Sequence, residues 1–469
     1  MVFRCRPDLP VGTVTVRTLL LLAFADGAGS LAAQPAGAVP PPPADSIPFC
    51  CDTRRFAPMA AEVLTLQLIP WYFNRNVAVD STAVLSVGGW RRNLVLGFEW
   101  DPGNFETNMF MHPVHGNLYF NAGRTNGYSF FESSALAWAG SLMWEMFGEN
   151  NRPAINDWIN TSMGGITIGE VVWRGSRALL DNRATGTARA WRELGHFFVN
   201  PVGAFNRLWR GETMRVGANP EGRFPSSFRS ALFFGIRSVG DTSVPESGRN
   251  IPYVDLRFGY GDHLRDLDHP FDAFTVHVEI NGSRAHTVAR VRVDGTLYGK
   301  LWKESARARH VFGVEQHYDY FNNETYVVGG QSFGVTLRSR FRLRDPLTVQ
   351  TLLEPFGAAI WAVSSEYADV TGRDYDFGSG AGVRTKAELF FGDANVLSLA
   401  YTGVYSHTLN GAVSNHLLHM VSVGVQAPIL KGFGGAMEFV LFARNSFYRD
   451  FDDVHERTPL FRWSMVFFP

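Results

Sequence analysis

The chain has 469 residues with 43 basic and 44 acidic side chains, a formal net charge of −1. That balance supplies no bulk field toward nucleic acid, so no nucleic-acid partner is expected. Its 38 Phe, 14 Tyr, 12 Trp and 47 Gly exclude disorder and collagen-like repeats. The longest clean apolar run, Leu19–Ala25, is far short of the roughly 20 residues a membrane-crossing helix needs.

The N-terminus reads as an export signal over residues 1–33. Arg4, Arg6 and Arg17 precede the apolar run, Asp26 interrupts it, and small residues lead to an A-x-A-like exit at Ala33. Residues 34–57 follow as a Pro-rich linker carrying Pro40 to Pro43. Cys5 would leave with the signal, and Cys50-Cys51 form neither a CxxC spacing nor a disulfide framework.

Residues 58–220 carry helical spacing. Trp138, Ser141, Glu145 and Glu149 fall on one face, and Gly123, Gly127, Ala135, Ala139 and Gly140 allow close backbone approach. Glu149-Asn150-Asn151-Arg152-Pro153 ends that stretch, and a second begins at Asn156-Asp157. The pattern predicts a packed helical hairpin. Short alternation at 82–101 predicts a strand or hairpin there.

From about residue 225 to the end the period becomes two. Phe274, Val276, Val278 and Ile280 alternate with Thr275, His277, Glu279 and Asn281; Val335, Leu337, Phe341 and Leu343 alternate with Thr336, Arg338, Arg340, Arg342 and Arg344. About twelve such runs occur, separated by turn residues such as Asn281-Gly282, Asn322-Asn323 and Gly392-Asp393. An even set of long, dyad-patterned strands predicts an antiparallel transmembrane β-barrel in the bacterial outer membrane, which satisfies every backbone group without an edge. A soluble lipocalin-like or jelly-roll protein is the competing reading. The final strand, Phe461 to Pro469, is similar to the closing strand of bacterial outer-membrane proteins. Outer-membrane lipids and the barrel-insertion machinery are the expected partners.

An ordered set of residues runs through the helical region. Asn93-Leu94, Trp100-Asp101, Asn108, His112-Pro113, His115-Gly116, Tyr119-Phe120-Asn121 and Arg124-Thr125-Asn126-Gly127 open it. Glu132-Ser133, Trp144-Glu145, Glu149, Ile155-Asn156-Asp157, Gly164-Gly165, Gly169-Glu170, Asn200-Pro201 and Asn206 complete it. Over roughly residues 60–212 the chain resembles the bacterial family catalogued as domain of unknown function 3943, departing at Val114 and Ala154. The resemblance implies an exported, outer-membrane-associated protein and no established activity.

His112, His115, Glu132, Glu145, Glu149, Asp157 and Glu170 place seven ionisable groups in 59 residues. Three readings compete. A metal site is not assigned, because Pro113 bars the histidine pair from a helix interior and no HExxH fixes a geometry. A hydrolase would use His112 or His115 as base with Glu145 or Asp157 orienting it, although no GxSxG elbow is present. A structural reading makes the hairpin a plug, with Asn108, Arg124, Glu132, Glu149, Asn156, Glu170 and Asn206 packing it and lumen-facing Arg338, Arg340 and Arg342 pairing its carboxylates. The expectation is a twelve-stranded barrel with a helical plug and no cofactor, serving envelope organisation or small-solute passage; the alternative is a lipid-modifying hydrolase.

Overall fold

A computed structural model describes residues 53–468 apart from 78–80, 102, 221–223, 242–243 and 283–285. The export segment and most of the Pro-rich linker lie outside the described residues. Seven helices precede the strands among the described residues: α1 (Phe56–Asn76), α2 (Val87–Leu96), α3 (His112–Thr125), α4 (Phe130–Met143), α5 (Ile155–Leu179), α6 (Gly186–Val199) and α7 (Pro201–Trp209). None is long and apolar enough to cross a membrane.

Residues 82–101 do not form the expected strand. They hold α2, started by Ser86, whose side chain accepts from the Gly89 amide, and a lone bridge from Glu99 to Ala154. Gly89 and Asn93, four apart and both buried, give this segment a helical face that brief alternation obscured. The capping box of Ser129 and Glu132 starts α4. The α3–α5 crossing is backbone against backbone: a Cβ on Gly116 would lie 1.7 Å from the Thr161 carbonyl oxygen.

Two π-helical turns interrupt this domain. Thr107–Met111 runs directly into α3, and Trp144–Gly148 continues α4. The first explains how Pro113 sits within a helical run: a widened turn accommodates its missing N–H and bulky ring. His112 and His115 therefore both lie on α3, contrary to the sequence expectation.

Twelve strands follow: β1 (Phe228–Asp241), β2 (Val244–Tyr260), β3 (Phe274–Asn281), β4 (Val288–Glu304), β5 (Ala308–Asn322), β6 (Val327–Arg344), β7 (Leu347–Ser364), β8 (Tyr375–Phe391), β9 (Ala394–Asn410), β10 (Ser414–Leu430), β11 (Phe433–Tyr448) and β12 (Val454–Phe467). All pair antiparallel with their sequence neighbours, and β1 pairs with β12 from Leu232↔Phe467 to Val239↔Leu460, closing the barrel.

Strand alternation tells inside from outside. On β5 the odd residues face the lumen: Glu315 pairs with Arg338 at 2.8 Å, His317 with Asp294 at 2.8 Å, and Asp319 with Arg384 of β8 at 2.5 Å, past two intervening strands. Other pairs also cross the interior, Arg257 of β2 to Glu438 of β11 at 3.2 Å and Arg462 of β12 to Glu279 of β3. Tyr326 stacks on Phe442 at 4.6 Å among Phe356, Trp361, Val404 and Leu418, filling the lumen toward one end.

The even residues of β5 meet the helices. Gln316 donates to the Met163 carbonyl at 3.2 Å, the Tyr318 hydroxyl donates to the Met109 carbonyl at 2.7 Å, and Tyr320 stacks on Phe105 at 5.6 Å. Successive side chains on a strand point to opposite faces, so the helical domain packs on the outer wall. This corrects the plug: the helices do not occupy the lumen, which its own ion pairs and aromatics fill. The domain climbs the wall diagonally. Arg174 of α5 pairs with Asp272 beside β3, near the rim where β1 begins and β12 ends, while Asn108 bonds Tyr375 of β8 at the opposite rim.

Candidate functional site

The two π-helical turns frame a buried cluster. Thr107–Met111 ends at His112, and Trp144–Gly148 carries Glu145; Asp157 faces them from the first turn of α5. One ligand-type atom from each of His112, Glu145 and Asp157 lies within 4.8 Å of the others. The His112 Nε2 to Asp157 Oδ1 separation is 3.8 Å. Glu145 and Asp157 are each 4% exposed. π-Helical turns are rare and concentrate at functional sites, because they re-aim side chains at a cost in hydrogen bonding.

Each of the three groups also bonds a residue outside the trio. His112 Nδ1 is 3.1 Å from Thr161 Oγ1, Glu145 Oε2 accepts from the Ala154 amide at 2.8 Å, and Asp157 Oδ1 accepts from Asn156 Nδ2 at 2.7 Å. Asn156 accepts in turn from the Asp101 amide at 2.8 Å, and Asp101 Oδ2 accepts from Asn108 at 3.2 Å. Glu149 accepts from the Trp144 indole at 2.8 Å.

The site is short of positive charge. Burial, then Asp157 and Glu149, push the Glu145 carboxyl well above the usual range. Burial, then Asp101 and Glu149, do the same for Asp157, with Arg373 opposing. Burial pushes the His112 imidazole down, against Glu149 and Asp101. Burial, joined at the carboxyls by like charge, thus pushes the imidazole and the two carboxyls in opposite directions, each toward its neutral form.

His115 is not part of the cluster. Its Nε2 lies 2.8 Å from the Tyr119 hydroxyl and 3.4 Å from the Leu66 carbonyl, its ring lies edge-on to Trp144, and burial followed by His112 brings it down to about 4. The other motif residues build the domain. Glu170 is held between Arg124 and Arg174, each at 2.8 Å, so its partners come from the helices and not from the lumen arginines. Glu132 caps α4, Asn206 donates to Thr125 at 2.9 Å, and Asn108 joins Asp101 to Tyr375. Arg338 pairs with Glu315 inside the barrel, whereas Arg340 and Arg342 line a 310 Å³ cavity at the rim carrying the barrel's chain ends, with Arg229, Arg307 and Arg309. Sequence reasoning left out Asp101, Thr161 and Arg373. Asp101 was legible within its Trp-Asp motif; Thr161 and Arg373 carried no signal beyond their eventual positions.

No curated protein matches the chain. Among solved structures it is similar to the NanC porin (11% identity, 50% of this chain and 99% of that one, TM-score 0.27). It is similar to the KdgM porin (10%, 51% and 98%, 0.24) and to the Pseudomonas putida toluene transporter TodX (9%, 52% and 88%, 0.23). The family described as "Domain of unknown function (DUF3943)" matches residues 97–202, the stretch that holds Asp101, His112, Glu145, Asp157 and Glu170. The helical segment 97–202 is therefore a DUF3943 domain, as the ordered motif residues imply.

Proposed function

We propose that this chain is a bacterial outer-membrane protein whose closed barrel anchors a lipid-directed helical domain, and that the centre at His112, Glu145 and Asp157 hydrolyses an ester or amide of a membrane lipid. One observation carries the reading: the helices dock on the wall face that alternates with the lumen. In an outer-membrane barrel that face meets lipid.

The barrel's surface fits this placement. Ile236, Val335, Leu353, Val421, Val423, Val425, Phe461, Trp463 and Met465 are exposed on the outer wall, while the charges turn inward. β12 closes the barrel through Trp463, Met465 and Phe467, the kind of terminal strand the insertion machinery would engage. Helices α6 and α7 expose Trp191, Phe197, Phe198, Phe205, Leu208 and Trp209 and bury Arg189, Glu193, His196, Asn206 and Arg207 on the other side. Amphipathic helices with such a face lie in the plane of a membrane interface.

The chemistry follows from the convergence of the three side chains. His112, Glu145 and Asp157 would together hold and activate one water for attack on the carbonyl carbon. A proton of that water would pass to the leaving oxygen or nitrogen as its bond to the carbonyl carbon breaks. His115, enclosed by Tyr119, Trp144 and Leu66, would stay out of the reaction.

The test is the lipid profile of a Gram-negative host expressing the full chain, His112→Ala or Glu145→Gln. The expected result is a lipid product present with the parent and absent with both variants, whose barrels stay heat-modifiable on gels. An unchanged profile with the parent overturns the proposal. The second reading, passage of a small solute, is favoured by the arginine-lined cavity at one rim and opposed by the ion pairs that cross the lumen behind it.

A further inference from the structure

Two groups of one histidine and two carboxylates converge in this protein among the described residues: His112, Glu145 and Asp157 on the outer wall, and Glu315, His317 and Glu354 inside the barrel. Their surroundings differ. In the lumen Glu315 is paired with Arg338 at 2.8 Å and Glu354 with Arg384 at 3.3 Å, so guanidinium groups already neutralise the carboxylates. Around His112 the neighbouring ionisable groups are mostly acidic. Asp101 and Glu149 join Glu145 and Asp157, and the nearby Arg373 donates to the Asp101 carbonyl oxygen and not to a carboxylate. Buried carboxylates in such number are retained when they are paired or when they coordinate a metal.

We propose that His112 Nε2, Glu145 and Asp157 bind one divalent cation of the zinc type, a proposal that rests on reading these residues as the working centre. The outward partners fit a ligand set. Thr161 occupies His112 Nδ1 and leaves Nε2 turned toward Asp157; the Ala154 amide holds Glu145 Oε2, and Asn156 donates to Asp157 Oδ1, the oxygen that faces His112 and that keeps a second lone pair. Metal ligands are oriented by such outer hydrogen bonds, which fix the imidazole tautomer and the carboxylate rotamer. Ion-to-ligand bonds of about 2.0–2.2 Å set neighbouring ligand atoms roughly 3.3–3.6 Å apart in a tetrahedral shell. The 3.8 Å between His112 and Asp157 needs only a small side-chain adjustment to reach that spacing.

The ligand types select the ion. An imidazole with two carboxylates suits zinc, manganese or ferrous iron, whereas magnesium and calcium prefer oxygen alone. Three protein ligands leave a fourth position open, the arrangement of sites that act on a substrate. The two π-helical turns meet this need directly, because they bring His112 and Glu145 from different helices to the first turn of α5.

The experiment uses the full chain, purified in detergent, stripped with chelator and titrated with Zn²⁺, with Co²⁺ absorption as a second reading of coordination. One ion per chain is expected. Asp157→Asn, nearly isosteric, and His112→Ala should each weaken binding about tenfold or more and abolish the Co²⁺ spectrum. Glu315→Gln in the lumen group should leave both unchanged. No stoichiometric binding to the folded parent overturns the site, as does binding that survives Asp157→Asn or is lost in Glu315→Gln. The two proposals fail separately. Bound metal with an unchanged lipid profile keeps the site and removes the lipid reaction; lipid product without bound metal keeps the reaction and removes the site.

Discussion

At the scale of residues, the helical domain is held by buried polar groups that find partners within it. Glu170, fully buried, takes a guanidinium from each side, and Asn121, Asn200 and Ser176 link three helices. His196 belongs to this framework: 3% exposed, its Nδ1 lies 3.1 Å from the Ser176 carbonyl, and burial brings it down to about 4 from an ordinary 6.5. The folded domain thus keeps His196 neutral where the unfolded chain takes up a proton. The stabilising contribution is present above pH 6.5 and lost as pH falls toward 4, a change on the order of 3 kcal/mol. Denaturant unfolding followed by helical circular dichroism should show this loss between pH 7 and pH 4.5, and His196→Gln should reduce the slope. An unaltered slope in that variant removes His196 as its source.

At the scale of elements, close helix crossing and wall docking decide the architecture. Gly116 of α3 lies against α5, where an added Cβ would meet the Thr161 carbonyl oxygen at 1.7 Å, and one on Gly165 would meet the Gly116 carbonyl carbon at 2.4 Å. Gly116→Ala should therefore cost about 1–3 kcal/mol or more through overpacking. It should also displace Thr161 from His112, so the proposed lipid product falls along with helical stability. Thermal unfolding of the helical signal checks the first, and a barrel that keeps its heat resistance localises the effect. The helical spacing of Glu145 and Glu149 was legible in sequence; Gly116 and Gly165 stood there only as motif residues, and close backbone approach was assigned instead to Gly123, Gly127, Ala135, Ala139 and Gly140. Residues 82–101 were misread because a ten-residue helix offers few turns to set against chance alternation. The turn before Pro113 was missed because a π-helical turn leaves no periodic trace of its own.

At the scale of the whole molecule, the barrel was legible because dyad alternation persists through strands of up to 18 residues and survives in turn chemistry. The face chosen by the helices was not. Alternation shows that Gln316 and Tyr318 point away from Glu315 and His317, but a polar or tyrosine-rich stretch on the outer face reads the same whether it meets lipid, water or a helix. The structure settles it through pairs that reach across several strands, such as Asp319 to Arg384. A lumen crossed by these pairs should pass no steady porin-type current in planar bilayers. Replacing Arg462, Glu279 and Arg237 together by alanine should open discrete conductance steps; a steadily conducting parent would restore the solute-passage reading.

The placement of the helical domain on the outer wall bears the functional account and can be measured directly. Cysteines at Met163 and Gln316, in a chain whose native cysteines are replaced by serine, should be joined in outer membranes by a short thiol-specific cross-linker, because the Met163 carbonyl and the Gln316 amide are 3.2 Å apart. A Met163 and Glu315 pair should stay uncoupled, since Glu315 points into the lumen toward Arg338. Cross-linking of Met163 to Glu315 in place of Gln316 would put the helices inside the barrel and contradict a centre at the lipid-facing wall.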